Sequence, residues 1–171
     1  MLTLTKSEML ALWRKSHGLD TLRADCSVEA VDGIDIDAWL EPKMRRWYLN
    51  LLDTAPAHLV PVGEFGRSSS VTVTASPVGT IVPPAAVRRV LSVKLQGWQR
   101  PVVPVPEEEA AGRLGRLASP FCRPGRNEPL AVVRADGTLL VAPVDVPVVE
   151  SLRCVADPGE DVYQLDETLL T

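Results

Sequence analysis

The hydrophobic periodicity of this chain changes at Leu59, and that change limits the possible folds more than any other feature. Before Leu59, apolar residues recur at the spacing of an amphipathic helix. After it, short apolar runs alternate with polar residues and are separated by glycine and proline, which is typical of β-strands. We therefore predict an α+β protein, with N-terminal amphipathic helices packed on a small antiparallel β-rich domain.

The first predicted helix covers residues 5–17. Thr5 and Glu8 have the spacing of a capping box, in which a hydroxyl and a carboxylate satisfy free amides of the first turn. Gly18 follows as a helix stop signal, and His17 fits a position at the helix end that the helix dipole favours.

The second predicted helix is capped by Asp35 or Asp37 and ends near Leu52. Pro42 removes one intrahelical hydrogen bond, so either the helix kinks there or its regular part begins near Pro42. Apolar and aromatic residues at helical spacing are predicted to pack in a core rather than to bind a cofactor. These helix-packing residues are Trp39, Leu40, Met44, Trp47, Tyr48 and Leu51.

The strand-rich part is organised around residues 83–105. We predict a short helical segment over residues 83–88, a strand over 90–95, a turn at Gln96-Gly97 and a second strand over 98–105. The alternation within 90–95 gives this strand one strongly apolar face.

A hairpin is predicted around Asp136-Gly137, because this dipeptide separates two apolar runs. Its strands would cover residues 130–134 and 138–141. Further strands are predicted over residues 71–75, 80–82 and 148–155.

The composition limits the classes of partner. The formal net charge is −4, whereas a general nucleic-acid-binding surface usually makes the balance basic. No apolar run approaches the ~18 residues of a spanning helix, so we expect no membrane partner. The N-terminus lacks the apolar segment of a signal peptide, which predicts a cytoplasmic protein where it is made. Cys26, Cys122 and Cys154 are too far apart for a metal knuckle and are expected to be reduced thiols.

A basic stretch and an acidic stretch lie in the second half of the chain. Residues 113–126 contain no acid and four arginines, namely Arg113, Arg116, Arg123 and Arg126. This stretch is either a solvated loop or a contact with acidic protein or a phosphate backbone.

Residues 157–171 contain acids but no base, and are predicted to form an extended C-terminal arm. Its apolar side would lie on a partner or on a neighbouring subunit. The apolar residues assigned to this contact are Val162, Leu165, Leu169 and Leu170.

Chemical motifs give no catalytic, metal or cofactor-binding residues. His17 and His58 are the two histidines, and no nucleophile-elbow pattern accompanies them. The Gly63, Gly66 and Ser68 group lacks the lysine and the following helix of a P-loop. The acids of residues 32–37 lack the ligand pattern of a calcium loop.

The order of several motifs resembles the head–tail connector (adaptor, or tail-tubular) proteins of tailed bacteriophages. The motifs are W-L-x-x-x-M-x-x-W-Y-x-x-L-L (39–52), P-x-x-x-x-R-V-L-S-V-K-L-x-x-W (84–98), N-E-P-L-A-V-V (127–133), D-G-T-L (136–139) and S-L-x-C-V-x-x-P (151–158).

This resemblance implies a structural protein with no catalytic residues. It implies a helical part followed by a small β-rich domain, which we assign to residues 1–56 and 57–156, with the predicted arm over 157–171. Copies would form a ring between the portal protein and the tail or stopper proteins, with genomic DNA passing through the ring. Such a protein would be found at the head–tail interface of the virion, and in the host cytoplasm during assembly.

Two alternatives stay open. One is a small α+β binding module of prophage or bacterial origin that recognises a peptide or a small molecule, for which a discrete concave pocket would speak. The other is a hydrolase without a recognisable motif, in which His17 or His58 meets a carboxylate and a nucleophile.

Overall fold

The computed structural model describes residues 1–19, 36–75, 77–119 and 121–170. The chain divides into two compact units. The first contains Met1–Pro61 together with Asp157–Thr171, and the second contains Val62–Ala156. The described part is mixed α and β, mostly β, with three α-helices, so the predicted α+β class is confirmed at this level.

The described residues of the first unit form two α-helices, a two-stranded sheet and a short 3-10 helix. Its elements are β1 (Leu2–Thr5), α1 (Lys6–Ser16), α2 (Ile36–Thr54), β10 (Val162–Leu165) and a 3-10 helix (Glu167–Leu170). The predicted capping box of α1 is confirmed. The Thr5 amide donates to Glu8 Oε2 at 2.8 Å, and the Glu8 amide donates to Thr5 Oγ1. His17 is the C-terminal cap residue of α1.

Helix α2 buries a stripe of residues four apart. Leu40, Met44, Tyr48 and Leu52 are at most 3% exposed, because side chains four residues apart lie on one helix face. Pro42 lies inside this helix, so the alternative in which the regular helix begins near Pro42 is wrong.

Two predictions for the start and the packing of α2 need correction. Asp37 lies in the first turn of α2 and is not its cap, and Asp35 lies outside the described residues. Trp39 was predicted to pack in the core but is 60% exposed, and the Lys43 ammonium lies 3.1 Å from its ring centroid. Trp47 and Leu51 are half-buried. Trp39 lies beside the four-residue stripe, not on it.

The C-terminal segment is not an extended arm. Strand β10 pairs antiparallel with β1, with Leu2 opposite Leu165 and Thr5 opposite Val162. The Tyr48 hydroxyl donates to the Gln164 carbonyl and accepts from the Gln164 amide, both at 3.1 Å. Tyr163 and Leu165 of the tail are therefore buried against its own chain, at 1% and 0% exposed.

The described residues of the second unit form two sheets and one α-helix. Its elements are β2 (Val62–Glu64), β3 (Val71–Ala75), β4 (Val78–Ile81), β5 (Val87–Leu95), β6 (Val105–Pro106), α3 (Ala111–Ala118), β7 (Leu130–Val133), β8 (Leu139–Ala142) and β9 (Val149–Ala156). The smaller sheet has the order β2-β9-β5, and the larger has the order β3-β4-β8-β7-β6. All pairs are antiparallel except β6 with β7.

Side chains from both sheets share one core cluster. Val93, Leu95 and Leu152 come from the smaller sheet, and Leu139 and Val141 from the larger one. Cys154 lies in the same cluster, and burial raises the pKa of its thiol to about 12. The two sheets therefore pack face to face, as in a β-sandwich.

Helix α3 packs on the other face of the larger sheet. Leu114 and Leu117 of this helix pack against a second cluster that includes Leu130, Val132 and Leu140. Successive strand residues point to opposite faces, so β7 and β8 are covered on both sides. This explains why both strands are nearly continuous apolar runs.

The hairpin predicted at Asp136-Gly137 is confirmed as the β7–β8 connection. The Gly137 amide donates to the Arg134 carbonyl at 2.9 Å, and Gly137 has a φ of 81°, which favours glycine. Asp136 Oδ1 accepts from the amide and the hydroxyl of Thr138, which holds the turn.

The predictions for residues 83–105 are wrong in two places. The segment 83–88 contains a turn closed by Val87 N donating to Pro84 O, and β5 begins at Val87. Residues 98–105 do not form the partner strand of β5, which pairs with β9 instead. Pro101 and Pro104 have no amide to donate to a ladder, so this segment makes only a bridge through Val102.

Glu64 ties β2 to β9 within the smaller sheet. Its carboxylate accepts from Leu152 N at 2.6 Å, Ser151 Oγ at 2.9 Å and Gly66 N at 3.0 Å. Burial acts to raise the pKa of Glu64, but these donors stabilise the charged form and hold the pKa below its usual value.

We expect Glu64→Gln to lower the free energy of unfolding by about 1 kcal/mol at pH 7, a modest value because the side chain is exposed and screened. A depressed folded-state pKa contributes stability above the unfolded-state pKa, so the difference should shrink as the pH falls below 4.5. Urea unfolding of the wild-type protein and of Glu64→Gln, at pH 7 and at pH 3, measures this difference in the free energy of unfolding. Glu108→Gln, at an exposed acid, is the control. A difference that does not depend on pH would contradict the assignment.

Candidate interaction surface

Helix α3 carries its charge on the side away from the sheet. Leu114 and Leu117 pack on the larger sheet, and Arg113 and Arg116 are exposed. Arg113 and Arg116 are three residues apart, so they are neighbours on the helix surface. The local sequence does not predict a helix well, since Gly112 and Gly115 disfavour one. Packing against the sheet supplies the stability that the glycines remove.

A groove lies beside α3 within the second unit. We call it the arginine groove, with a cavity volume of about 360 Å³ and a lining of residues 100–103, Arg113, Arg116, Pro124 and residues 128–130. Its charged members are Arg100, Arg113, Arg116 and Glu128, so the formal charge of the lining is +2. This is opposite in sign to the net charge of −4 for the chain.

Hydrogen bonds hold the walls of the arginine groove together. Arg116 Nε donates to the Cys122 carbonyl at 3.1 Å, and Arg116 Nη2 lies 3.4 Å from Glu128 Oε2. Gln99 N donates to the Arg126 carbonyl at 3.1 Å. The segment before residue 103 and the loop after α3 are therefore fixed to each other.

The four arginines of residues 113–126 have different positions in the structure, and only two of them line the arginine groove. Arg113 and Arg116 line the groove. Arg126 forms an ion pair with Asp145 at 2.7 Å, and Arg123 is exposed outside the lining. Arg100 lines the groove but was not predicted. It is separated from α3 in sequence, and only tertiary structure brings it close.

The apolar tail residues have different surroundings. Leu165 is fully buried in the first unit, so its assignment to a partner contact is wrong. Leu169 and Leu170 are half-buried, and Val162 is 38% exposed. Of these four residues, Val162 is therefore the most available to a partner.

Two of the five acids of the tail, Asp157 and Asp166, are engaged within the first unit. Asp157 forms an ion pair with Arg45, which also donates to the Gly159 carbonyl at 2.9 Å. Asp166 lies 3.7 Å from the Met1 ammonium and accepts from the amide and the hydroxyl of Thr168. These interactions attach the tail to its own helices and strand.

A wider groove in the first unit has a volume of about 640 Å³ and contains opposite charges in its lining. Lys6 pairs with Glu41 at 2.7 Å, and Arg14 pairs with Asp37 at 2.5 Å. Because these basic and acidic side chains already pair with each other, fewer unpaired charges line this groove than line the arginine groove. A charged partner would therefore form fewer new ion pairs here.

The two histidines have different surroundings, and the acids form no metal-binding group in the described residues. His17 Nδ1 lies 3.0 Å from the Trp13 carbonyl and from Ser16 Oγ, and its ring contacts the Trp47 ring. His58 is exposed. Across the ranges that the structure describes, no group of at least three His, Cys, Asp or Glu side chains is placed to hold a metal ion. No described helix has both the length and the apolarity to cross a membrane.

No protein-family model matches this chain, and no curated protein is significantly similar to it in sequence. The resemblance to head–tail connectors therefore stays a prediction from the sequence motifs.

Proposed function

We propose that this chain is a structural protein of a virion, a head–tail connector or adaptor that forms a ring between the portal and the tail. In this proposal the ring contacts portal and tail or stopper proteins, and DNA passes through it. The chain acts by shape and surface, and needs no catalytic residue, metal or cofactor.

The arginine groove is the observation that carries this proposal. It places a basic concave surface on an acidic chain, and such opposite charges favour contacts between unlike surfaces. Contacts of this kind form a ring when the rotation between successive copies closes. Val82, Val103 and Phe121 of the second unit are 69%, 70% and 96% exposed, and an assembly contact would cover such side chains.

A monomeric binding module is the second candidate, and the discrete shape of the arginine groove favours it. The two candidates differ in assembly. A module would bind its peptide or small ligand as a single copy, whereas a connector would bind the portal protein in many copies.

We expect the purified chain to form a multi-copy complex with the portal protein encoded by the same genome. Native mass spectrometry of the chain, the portal and their mixture measures the number of copies, and negative-stain electron microscopy detects a ring. The chain alone is the reference, because a connector subunit can be monomeric without its portal. A mixture in which both folded proteins stay separate at micromolar concentration would contradict the proposal.

A further inference from the structure

We propose that the arginine groove binds an extended acidic peptide segment of a partner protein, with carboxylates at alternate positions. This names the chemistry of the partner. The identity of the protein that carries the segment, a neighbour in the connector, rests on the proposed function.

Charge is the first reason. The groove lining contains three arginines and one acid, so its formal charge is positive. These residues are Arg100, Arg113, Arg116 and Glu128. Arg100 and Arg113 are exposed and have no ion-pair partner in the described ranges. A carboxylate can form two parallel hydrogen bonds with one guanidinium, which fixes its orientation as well as its charge.

Spacing is the second reason. Arg113 and Arg116 are three residues apart on α3, where Cβ atoms lie about 5–6 Å apart. In an extended peptide, side chains two residues apart lie about 6.6–6.8 Å apart and point to the same side. Alternate acids on an extended segment can therefore meet both arginines, and the residues between them point away from α3.

Rigidity is the third reason. Pro101, Pro124 and Pro129 line the groove, and the proline ring fixes φ at each position. The hydrogen bonds of Arg116 and Gln99 hold the same walls. A preformed groove loses less conformational entropy on binding than a mobile loop does. Val103 is 70% exposed beside the arginines and offers an apolar contact.

Two other occupants fit less well. The acidic tail of the chain has Asp157 and Asp166 engaged in the first unit. A nucleic-acid backbone would bring its phosphates against the Glu128 carboxylate, and the net charge of the chain is −4. A peptide has amides that can donate to Glu128, whereas a phosphate backbone has no such donor.

Fluorescence anisotropy with the intact chain tests this inference. The probe is a labelled nonapeptide with glutamate at every second position and threonine between. The matched peptide has glutamine in place of glutamate, and a labelled oligothymidylate represents phosphate. We expect the glutamate peptide to bind at least roughly tenfold more tightly than the glutamine peptide, and its binding to weaken with added salt.

Substitution of the groove arginines should reduce this binding. We expect Arg100→Gln/Arg113→Gln to weaken binding of the glutamate peptide roughly tenfold, since one exposed ion pair accounts for up to about fivefold. Arg67→Gln/Arg123→Gln removes the same charge at exposed arginines outside the groove and should change binding less than about twofold. Circular dichroism of both double variants checks that they fold.

Three results would overturn the inference: no binding of the glutamate peptide, equal binding of both peptides, or tighter binding of oligothymidylate through the same arginines. The anisotropy assay needs no portal protein, so it can fail while the portal complex still forms. In that case the proposed connector function is still supported, and the proposal that an acidic peptide occupies the arginine groove is contradicted. If the peptide binds but no portal complex forms, the proposed connector function is contradicted and the proposed role of the arginine groove is supported.

Discussion

Deleting residues 157–171 is expected to unfold the helical unit, and not merely to remove a partner contact. Strand β10 is the only pairing partner of β1 among the described strands, and it contributes Tyr163 and Leu165, which are 1% and 0% exposed. Truncating a buried leucine or aromatic residue costs about 2–5 kcal/mol. Two such losses, together with the hydrogen bonds of the sheet, approach the ~5–15 kcal/mol that stabilises a whole domain.

Far-ultraviolet circular dichroism and thermal unfolding of the shortened chain measure this effect. We expect the helical signal of α1 and α2 to fall markedly. Deletion of residues 167–171 alone is the control, because it removes the 3-10 helix but keeps β10. Within β10, Tyr163→Ala should cost about 3–5 kcal/mol, and Val162→Ala, at a 38% exposed residue, less than about 1 kcal/mol. A chain without residues 157–171 that keeps its helices would restore the arm interpretation.

Trp98→Ala is expected to lower the free energy of unfolding of the second unit by about 3–5 kcal/mol. The Trp98 side chain is 4% exposed in the core cluster between the two sheets, and its Nε1 donates to the Pro143 carbonyl at 2.8 Å. The substitution removes a large apolar group and leaves a buried carbonyl without its donor. Trp98→Phe separates these effects, because it keeps most of the apolar volume and loses the hydrogen bond.

The matched control is Trp39→Ala in the first unit. Trp39 is 60% exposed and contacts Lys43, so we expect a change of less than about 1 kcal/mol. Urea unfolding followed by circular dichroism measures both variants without relying on tryptophan fluorescence. If Trp39→Ala and Trp98→Ala lower the free energy of unfolding by equal amounts, Trp39 packs in a core, as its helical spacing indicates.

Local signals in the sequence were sufficient for some elements. The capping box of Thr5 and Glu8 marked the start of α1, because both partners lie within one turn. Asp136-Gly137 marked the β7–β8 hairpin, because the turn sets its own pairing. In both cases the interacting groups are close in sequence.

Pairings between distant segments could not be predicted in this way. Strand β5 pairs with β9, although a glycine turn at Gly97 suggested a local hairpin. Strand β10 pairs with β1 at the other end of the described chain. Local sequence patterns do not specify which of several apolar strands meet, since any apolar face can be covered by another.

The arginine groove was predictable only in part. Arg113 and Arg116 were conspicuous as members of a basic stretch without acids. The same stretch gave no reason to separate them from Arg123 and Arg126, which lie elsewhere. The distinction depends on Leu114 and Leu117 packing on the sheet, which decides the exposed side of α3.

The pairing of β1 with β10 has a consequence for synthesis on the ribosome. Leu2–Thr5 leaves the ribosome before the second unit, but its partner Val162–Leu165 is translated only after the complete second unit. Domains generally fold as units while the chain is being made, so we expect the sandwich to fold before the helical unit can close. Until then, Tyr48 in the apolar stripe of α2 lacks the Gln164 and Tyr163 partners that it has in the folded unit.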